Sequence, residues 1–281
     1  MIIWLASYPK SGNTWVRSIV AALMYSNDGI FNFNLLKRIK QFPTENDFKK
    51  FTNDLGNFHE IKKYWEDAQD LINLDNKIKF LKTHHINCKI DQYNFTNRRN
   101  TLASIYIVRD PRNLVSSISN HYNKTLEDSK EFLLTPRFIG GHKKKGVLIK
   151  DSLKTLLGTW GEHYRFWKNN NKDFLLIKYE NLIKDTRFEF KRIINFINKY
   201  TDVQSNEDKN ENIIKTTNFK YLQNLEEKGY FNENAHKTLN NKIKFFNLGP
   251  ENNWKNVLDK KIINDIETKF SAEMKELGYL K

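Results

Sequence analysis

The sequence predicts an α/β fold in which a mainly parallel β-sheet is covered by helices. Short runs of apolar and β-branched residues alternate with longer stretches that carry apolar residues at three- and four-residue spacing. The first run is followed at once by a glycine turn and the start of a helix. Because 281 residues suffice for one large domain of this class, we expect a single domain over residues 1–281.

Strands are expected where short apolar runs occur, namely at Ile2 to Ser7, Lys79 to Thr83, Ser104 to Val108 and Phe174 to Lys178. Helices are expected where the helical spacing holds, namely at Thr14 to about Tyr25, Pro111 to Tyr122, Ser152 to Lys168, Arg187 to Asn198 and about Lys260 to Leu277. Residues 28–75 and 124–150 fit neither pattern. We expect both to be variable segments on the substrate side, and the second, with its cluster Lys143 to Lys145, to be a mobile lid.

The strongly basic composition fits three kinds of partner, namely nucleic acid, an anionic membrane surface or small anionic ligands. The 47 Lys and Arg residues exceed the 33 Asp and Glu residues, which gives a net charge of +14. These lysines are spread among asparagines without a long basic block, so we expect no nucleic-acid partner. The single cysteine, Cys88, excludes an internal disulfide framework, and no apolar run reaches the ~18 residues of a membrane span. We therefore expect a cytoplasmic protein.

The residues after the first strand have the composition of a phosphate-binding loop. A helix N-terminus attracts anions through its unpaired backbone N–H groups and its dipole. Lys10 precedes the only glycine of the loop, whereas the loop of P-loop NTPases has its lysine after the second glycine. The alternative is an ordinary strand-to-helix turn. The predicted ligand-binding residues are Lys10, Ser11, Gly12, Asn13, Thr14 and Trp15.

A second candidate site follows the strand that ends at Val108. Arg109 lies where ligands of open α/β sheets bind, and Asp110 and Pro111 suit the start of a helix. Ser117 follows Arg109 by eight residues, about two helical turns, so the two side chains can clamp a second phosphate. Ser116 is the alternative hydroxyl, and an ion pair between Arg109 and Asp110 is the alternative role of the arginine.

A third candidate site is the end of the strand Lys79 to Thr83. A histidine there can act as a general base near neutral pH, and Lys82 can stabilise negative charge. His84 and His85 are adjacent on an extended segment and point to opposite sides, so only one of them can face the site. For the same reason they are a poor metal pair, and we expect no metal site.

Together these segments resemble the PAPS-dependent sulfotransferases of the cytosolic and bacterial type. That family has a Y-P-K-S-G-x-T-W loop for the 5′-phosphosulfate, R-D-P-R-x-x-x-x-S for the 3′-phosphate and K-T-H with the catalytic histidine. Its Y-E-D-L, its T-S-F near the adenine and its W-K-N are similar to the segments at Tyr179, Thr217 and Trp254. The resemblance spans essentially the whole chain and implies a P-loop-like three-layer α/β fold.

The resemblance implies transfer of a sulfuryl group from PAPS to a hydroxyl or amine, with release of PAP and without a metal. It makes His84 the base, Lys10 the group that neutralises the leaving phosphate, and Lys82 a flanking cation. It adds Tyr179, Thr217 and Gly249 to the cofactor-binding residues. The family commonly has R-K-G where this chain has Asn247-Leu248-Gly249. Either the phosphate relies on Arg109, Ser117 and a nearby cation such as Lys242 or Lys244, or the cofactor binds more weakly than is usual in the family.

Two other functional classes stay open. A P-loop kinase would need a metal-binding Ser or Thr after its lysine and an acidic partner at a strand end, and neither is recognisable. A non-catalytic nucleotide-binding protein on the same fold is the second alternative, because a fold does not fix a function. The segments 28–75 and 124–150 suit a small alcohol, a sugar, a lipid head group or a peptide equally, so the sequence does not identify the acceptor. It does not indicate the oligomeric state either.

Overall fold

A computed structural model describes residues 1–140, 153–231 and 244–281, together with the backbone of the pairs 143–144, 147–148, 237–238 and 241–242. The side chains of Lys143 to Lys145, the lysine cluster of the predicted lid, lie outside the described residues, as does the side chain of Lys242, a candidate for the missing cations. So does part of the predicted lid.

The structure is α/β. Its strands, numbered along the chain, are β1 (Ile2–Ser7), β2 (Lys40–Gln41), β3 (Lys79–Thr83), β4 (Lys89–Ile90), β5 (Tyr93–Asn94), β6 (Thr101–Val108), β7 (Phe138–Gly140), β8 (Lys143–Lys144), β9 (Val147–Leu148), β10 (Lys154–Leu156), β11 (Phe174–Lys178), β12 (Lys237–Thr238) and β13 (Asn241–Lys242). Its α-helices are α1 (Asn13–Tyr25), α2 (Glu45–Phe48), α3 (Phe58–Ile61), α4 (Trp65–Asn73), α5 (Pro111–Tyr122), α6 (Leu126–Leu134), α7 (Trp160–Asn169), α8 (Tyr179–Lys184), α9 (Thr186–Ile197), α10 (Glu207–Thr217), α11 (Phe219–Glu227), α12 (Lys260–Lys269) and α13 (Ser271–Glu276).

The main sheet has five strands in the order β11–β6–β1–β3–β2. Strands β1 and β3 run parallel, with Ile2 opposite Lys79 and Ala6 opposite Thr83, and β2 runs parallel to β3. Every residue of β1 is buried, as expected for a strand covered on both faces. The predicted α/β class with a mainly parallel central sheet flanked by helices is confirmed.

The chain divides into two compact units. The first unit consists of Met1–Tyr8, Lys40–Tyr106 and Thr135–Phe174. Its core is aromatic: the ring of Trp4 packs against Phe42, Phe95 and Trp167 at centroid distances of 5.7 to 6.0 Å. Contacts of this kind contribute beyond the area that they bury.

The second unit consists of Pro9–Ile39, Ile107–Leu134 and Leu175–Lys281. Within it α1 packs against α10, and α5 packs against α6 and α12. Its core is apolar and includes α1, which is buried along almost its whole length, and one face each of α5 and α9. The phosphate-binding loop predicted from the sequence begins this unit.

One predicted helix is wrong in its first half. The expected helix Ser152 to Lys168 begins only at Trp160, and Lys154–Leu156 is instead strand β10, paired antiparallel with β7. Gly158 adopts a positive φ of 67°, which ends the strand, and Thr159 then caps the helix. The expected final helix is likewise two helices, α12 and α13, which are separated at Phe270.

Candidate functional site

The loop after β1 has the backbone of an anion-binding turn. Lys10 and Gly12 adopt positive φ angles of 68° and 98°, an uncommon conformation for a lysine. Alternation of this kind turns successive N–H groups toward one point. Gly12 precedes the first residue of α1, and the first turn of that helix carries no acidic residue. The loop therefore presents a helix N-terminus to which an anion can bind.

Tyr179 packs directly against this loop. A Cβ atom on Gly12 would lie 2.6 Å from the Cδ2 atom of Tyr179, so the ring leaves no room for any other residue there. The Tyr179 ring also meets the indole of Trp15 edge-on, at a centroid distance of 5.8 Å. Tyr179, the first residue of the Y-E-N-L segment, thus supports the loop by direct packing.

Two polar groups buried at the loop, on Ser11 and Trp15, lack partners among the described residues. The Ser11 hydroxyl and the Trp15 indole N–H make no hydrogen bond within the described residues, although both side chains are buried. Asn13 and Thr14 are also buried, at 5% and 6% exposure. Because buried polar groups are nearly always satisfied, donors and acceptors left open here point to a bound polar ligand. The loop residues thus fit a phosphorylated cofactor.

Arg109 lies beside this loop, at 5% exposure. It donates to the backbone oxygens of Lys10 and Gly249, at 3.4 Å in both cases, and its guanidinium lies 4.2 Å from the ring centroid of Tyr179. Its Nε has no partner, and no carboxylate of the described residues pairs with it. The expected alternative, an ion pair with Asp110, is therefore absent from the described structure. A guanidinium that no described carboxylate pairs with can bind the anionic group of a ligand.

The carboxylate of Asp110 binds Arg112 instead, at 2.6 Å, and it also accepts a hydrogen bond from the Arg112 backbone at the start of α5. Arg112 forms a second ion pair with Glu267, and its guanidinium lies 4.1 Å from the Trp254 ring centroid. These contacts give Arg112 a structural role.

The side chain of Lys10 lies between an imidazole and an aromatic ring. Its Nζ is 3.5 Å from Nδ1 of His121 and 3.8 Å from the ring centroid of Phe245. Since an ammonium only donates, this contact requires an unprotonated Nδ1 and places the His121 proton on Nε2. Sequence reasoning missed His121. Its spacing of four residues from Ser117, which places both on one face of α5, was the available signal.

The two candidate serines on α5 differ in their partners. The Ser116 hydroxyl donates to Oδ1 of Asn252 at 2.7 Å, whereas no partner occurs for the Ser117 hydroxyl among the described residues. Ser117 is half-buried. The geometry therefore favours Ser117 as the hydroxyl that is left for a ligand.

The remaining predicted cofactor residues also lie in the second unit. The Thr217 hydroxyl donates to the Ile213 backbone oxygen at 2.7 Å, inside the last turn of α10. Gly249 has a positive φ of 52° and packs against the ring of Phe219. Of the candidates for the missing cations, Lys244 forms an ion pair with Glu227 at 2.9 Å, and that pair is exposed.

In the first unit, His84 has the tautomer of a general base. Its Nδ1 lies 2.8 Å from the backbone oxygen of Ser7, which can only accept, so Nδ1 carries the proton. The Nε2 atom is then the basic nitrogen. His84 and Lys82, two residues earlier at the end of β3, are both half-buried.

His85 is unsuited to that role. It is fully buried, it stacks on Phe95 at a centroid distance of 4.2 Å, and burial lowers its pKa to about 3. Its Nδ1 donates to the backbone oxygen of Ile86 at 2.7 Å. The geometry therefore favours His84.

Helix α7 holds this histidine segment in place. His163 and Trp167, four residues apart, donate to the consecutive backbone oxygens of His84 and His85, at 3.1 and 2.9 Å. Tyr106 in turn donates to Nδ1 of His163 at 2.8 Å, and burial lowers the pKa of His163 to about 3. His163 thus positions the backbone of His84, a role that the sequence did not indicate.

Neither a metal cluster nor a membrane-spanning helix occurs in the described part of the chain. The residues that the structure describes contain no group of three or more His, Cys, Asp or Glu side chains that could hold a metal ion. Within those same ranges no helix combines the length and the apolar character needed to cross a membrane.

Comparisons with known proteins agree on one family. Residues 2–278 match the sulfotransferase domain family. The chain is 25% identical to sulfotransferase 2A1 of Mus musculus over 90% of this chain and 76% of that protein. Among solved structures, mouse sulfotransferase SULT7A1 complexed with PAP matches with a TM-score of 0.58 and 21% identity, over 98% of this chain and 84% of that one. Retinol dehydratase in a complex with retinol and PAP matches with a TM-score of 0.60 and 16% identity, over 98% and 81%.

Proposed function

The chain belongs to the sulfotransferase domain family, and we propose that it transfers a sulfuryl group from PAPS to a hydroxyl or amine acceptor and releases PAP. The observation that carries this proposal is the anion-binding loop of the second unit. Two positive φ angles occur there together with a buried Ser11 hydroxyl and a buried Arg109 that have, among the described residues, no hydrogen-bond partner and no carboxylate partner, respectively. This combination suits a ligand with two separate phosphate groups.

In this proposal the backbone of Ser11, Gly12 and Asn13 holds the 5′-phosphate side of the donor, with Thr14 and Trp15 behind it. Arg109 and Ser117 hold the 3′-phosphate. Tyr179, Thr217 and Gly249 line the nucleoside side. Support comes from the contacts of Arg109 with Lys10, Gly249 and Tyr179, which join these segments.

The donor supplies the sulfuryl group when it is bound. His84 takes the proton of the acceptor at Nε2, since Nδ1 is occupied by the Ser7 carbonyl. Lys10 neutralises the charge that develops on the leaving phosphate, and Lys82 flanks the transferred group. We propose that no metal takes part, because lysines and backbone N–H groups can supply this electrostatic stabilisation.

The acceptor is proposed to be an alcohol or amine of a small molecule, a glycan or a lipid. Retinol dehydratase, one of the similar structures, is solved with retinol. We propose that the chain is a single sulfotransferase domain and that its residues 28–75 and 124–150 select the acceptor. We also propose a cytoplasmic location. The cysteine Cys88 is buried, and burial raises the pKa of its thiol to about 11, so an unreactive thiol agrees with a reducing compartment.

Thermal unfolding with PAP and EDTA, compared with ADP and Mg²⁺, tests the proposal. A ligand at one hundred times its Kd adds about 2.7 kcal/mol of stability and raises the midpoint by several degrees. We expect a clear shift with PAP in EDTA. A shift with ADP and Mg²⁺ alone would favour a phosphoryl-transfer protein instead. Binding of PAP without transfer to any member of an acceptor panel would favour a non-catalytic nucleotide-binding protein.

A further inference from the structure

Asn252 is a buried asparagine that joins the C-terminal segment Gly249–Asn256 to α5. Only 9% of it is exposed. Its Nδ2 donates to the backbone oxygen of Asn113 at 2.8 Å, and its Oδ1 accepts from the Ser116 hydroxyl at 2.7 Å. The backbone N–H of Trp254 adds a third bond, to Oδ1 of Asn113 at 2.9 Å. Three hydrogen bonds therefore fix this segment on the first two turns of α5.

The fixed segment reaches the candidate phosphate-binding arginine. The backbone oxygen of Gly249 accepts a hydrogen bond from Nη2 of Arg109, and the backbone oxygen of Lys10 accepts one from Nη1. Both contacts measure 3.4 Å, the long end of the hydrogen-bond range, so a small displacement of either backbone oxygen is enough to break its contact with the guanidinium. A small displacement of Gly249 would therefore change the orientation of Arg109.

We propose that Asn252 is a positioning residue for the donor: by fixing Gly249–Asn256 on α5, it keeps Arg109 oriented toward the phosphate. This inference rests on the proposed function, because it takes PAP as the ligand of Arg109. Asn252 acts through Gly249 and Arg109 and needs no contact with the nucleotide. Ser116 acts together with Asn252 in this role, whereas its neighbour Ser117 is the hydroxyl proposed to bind the 3′-phosphate.

Titration calorimetry of PAP with the full chain tests the proposal. We expect Asn252→Ala to weaken PAP binding about tenfold, since two buried side-chain hydrogen bonds are lost. Ser116→Ala should weaken binding less. The double variant should bind PAP about as weakly as Asn252→Ala alone, because both substitutions remove the hydrogen bond between Ser116 and Asn252. Asn253→Ala is the matched control: this neighbouring side chain is exposed and, among the residues that the structure describes, bonds only within its own turn, where its Oδ1 accepts from the Lys255 N–H.

The outcomes separate the inference from the proposed function. If the wild-type chain binds no PAP, the proposed function fails and the inference fails with it. If the wild type binds PAP and Asn252→Ala binds it equally well, even with a lower melting temperature, Asn252 is purely structural and the inference is overturned. Additive losses in the double variant would also overturn it. Should Asn252→Ala not fold, Ser116→Ala supplies the comparison, since it removes the hydrogen bond to Oδ1 of Asn252, and unchanged PAP affinity of this variant would overturn the inference.

Discussion

At Gly12 the structure forbids a side chain for two independent reasons. The φ angle of 98° strains any other residue, and a Cβ would lie 2.6 Å from the Tyr179 ring. We expect Gly12→Ala to lower the free energy of unfolding by about 1–3 kcal/mol and to weaken PAP binding at least about tenfold, since the loop must move to relieve the contact. Chemical denaturation and calorimetry measure the two effects.

Gly229 provides the matched control in the same unit. Its φ is 81°, but a Cβ atom added there would have no described atom within 4 Å, so Gly229→Ala reports the backbone strain alone. We expect a loss of about 1 kcal/mol and unchanged PAP affinity. Equal PAP affinity of Gly12→Ala and the wild type would show that this loop does not hold the donor.

The two adjacent histidines give the second prediction at this scale. We expect His84→Ala to lower the transfer rate at least about 100-fold, because the acceptor proton loses its base, while PAP affinity stays nearly unchanged. His85→Phe keeps a ring against Phe95 and should retain most of the transfer rate. The assay uses labelled PAPS with the best acceptor from a panel of alcohols and amines. Normal transfer by His84→Ala, or loss of transfer only in His85→Phe, would refute this assignment.

At the scale of elements, the sequence predicted best where the signals are local. The bounds of β1, β3, β11 and α5 are as expected, because strand composition, the Asp110 cap and Pro111 all act within a few residues. The prediction of a helix that begins at Ser152 was wrong for the opposite reason. Strand β10 forms only because β7 pairs with it, and a helical pattern of apolar residues does not reveal a partner that is distant in sequence.

The candidate site shows the same division. The loop after β1 and Arg109 could be named as candidate site residues because each follows a strand in a short motif. Asn252 and His163 could not, since an asparagine and a histidine acquire their roles only from the backbone groups that they meet, 139 and 79 residues away in sequence. The choice between His84 and His85 likewise required burial, which places His85 in an aromatic core and leaves His84 half-exposed.

For the whole molecule, two buried neutral histidines predict how stability depends on pH. His85 and His163 both have a pKa of about 3 in the folded chain because of burial, against about 6.5 for an unfolded histidine. Below pH ~6.5 the unfolded chain therefore binds protons that the folded chain does not. Stability should fall as the pH falls from about 6 toward 4, with a slope from each histidine that approaches about 1.4 kcal/mol per pH unit.

Urea unfolding at a series of pH values, on the wild type and on His85→Phe, measures this contribution. The variant has one buried histidine fewer, so its slope between about pH 6 and 4.5 should be smaller by about 1.4 kcal/mol per pH unit. His59→Gln, which replaces an exposed histidine, is the control for the removal of one histidine from the chain. Equal slopes for the wild type and His85→Phe would mean that His85 becomes protonated within the folded chain. The aromatic core around it would then have to admit water or a counter-charge, and His85 would compete with His84 as the base.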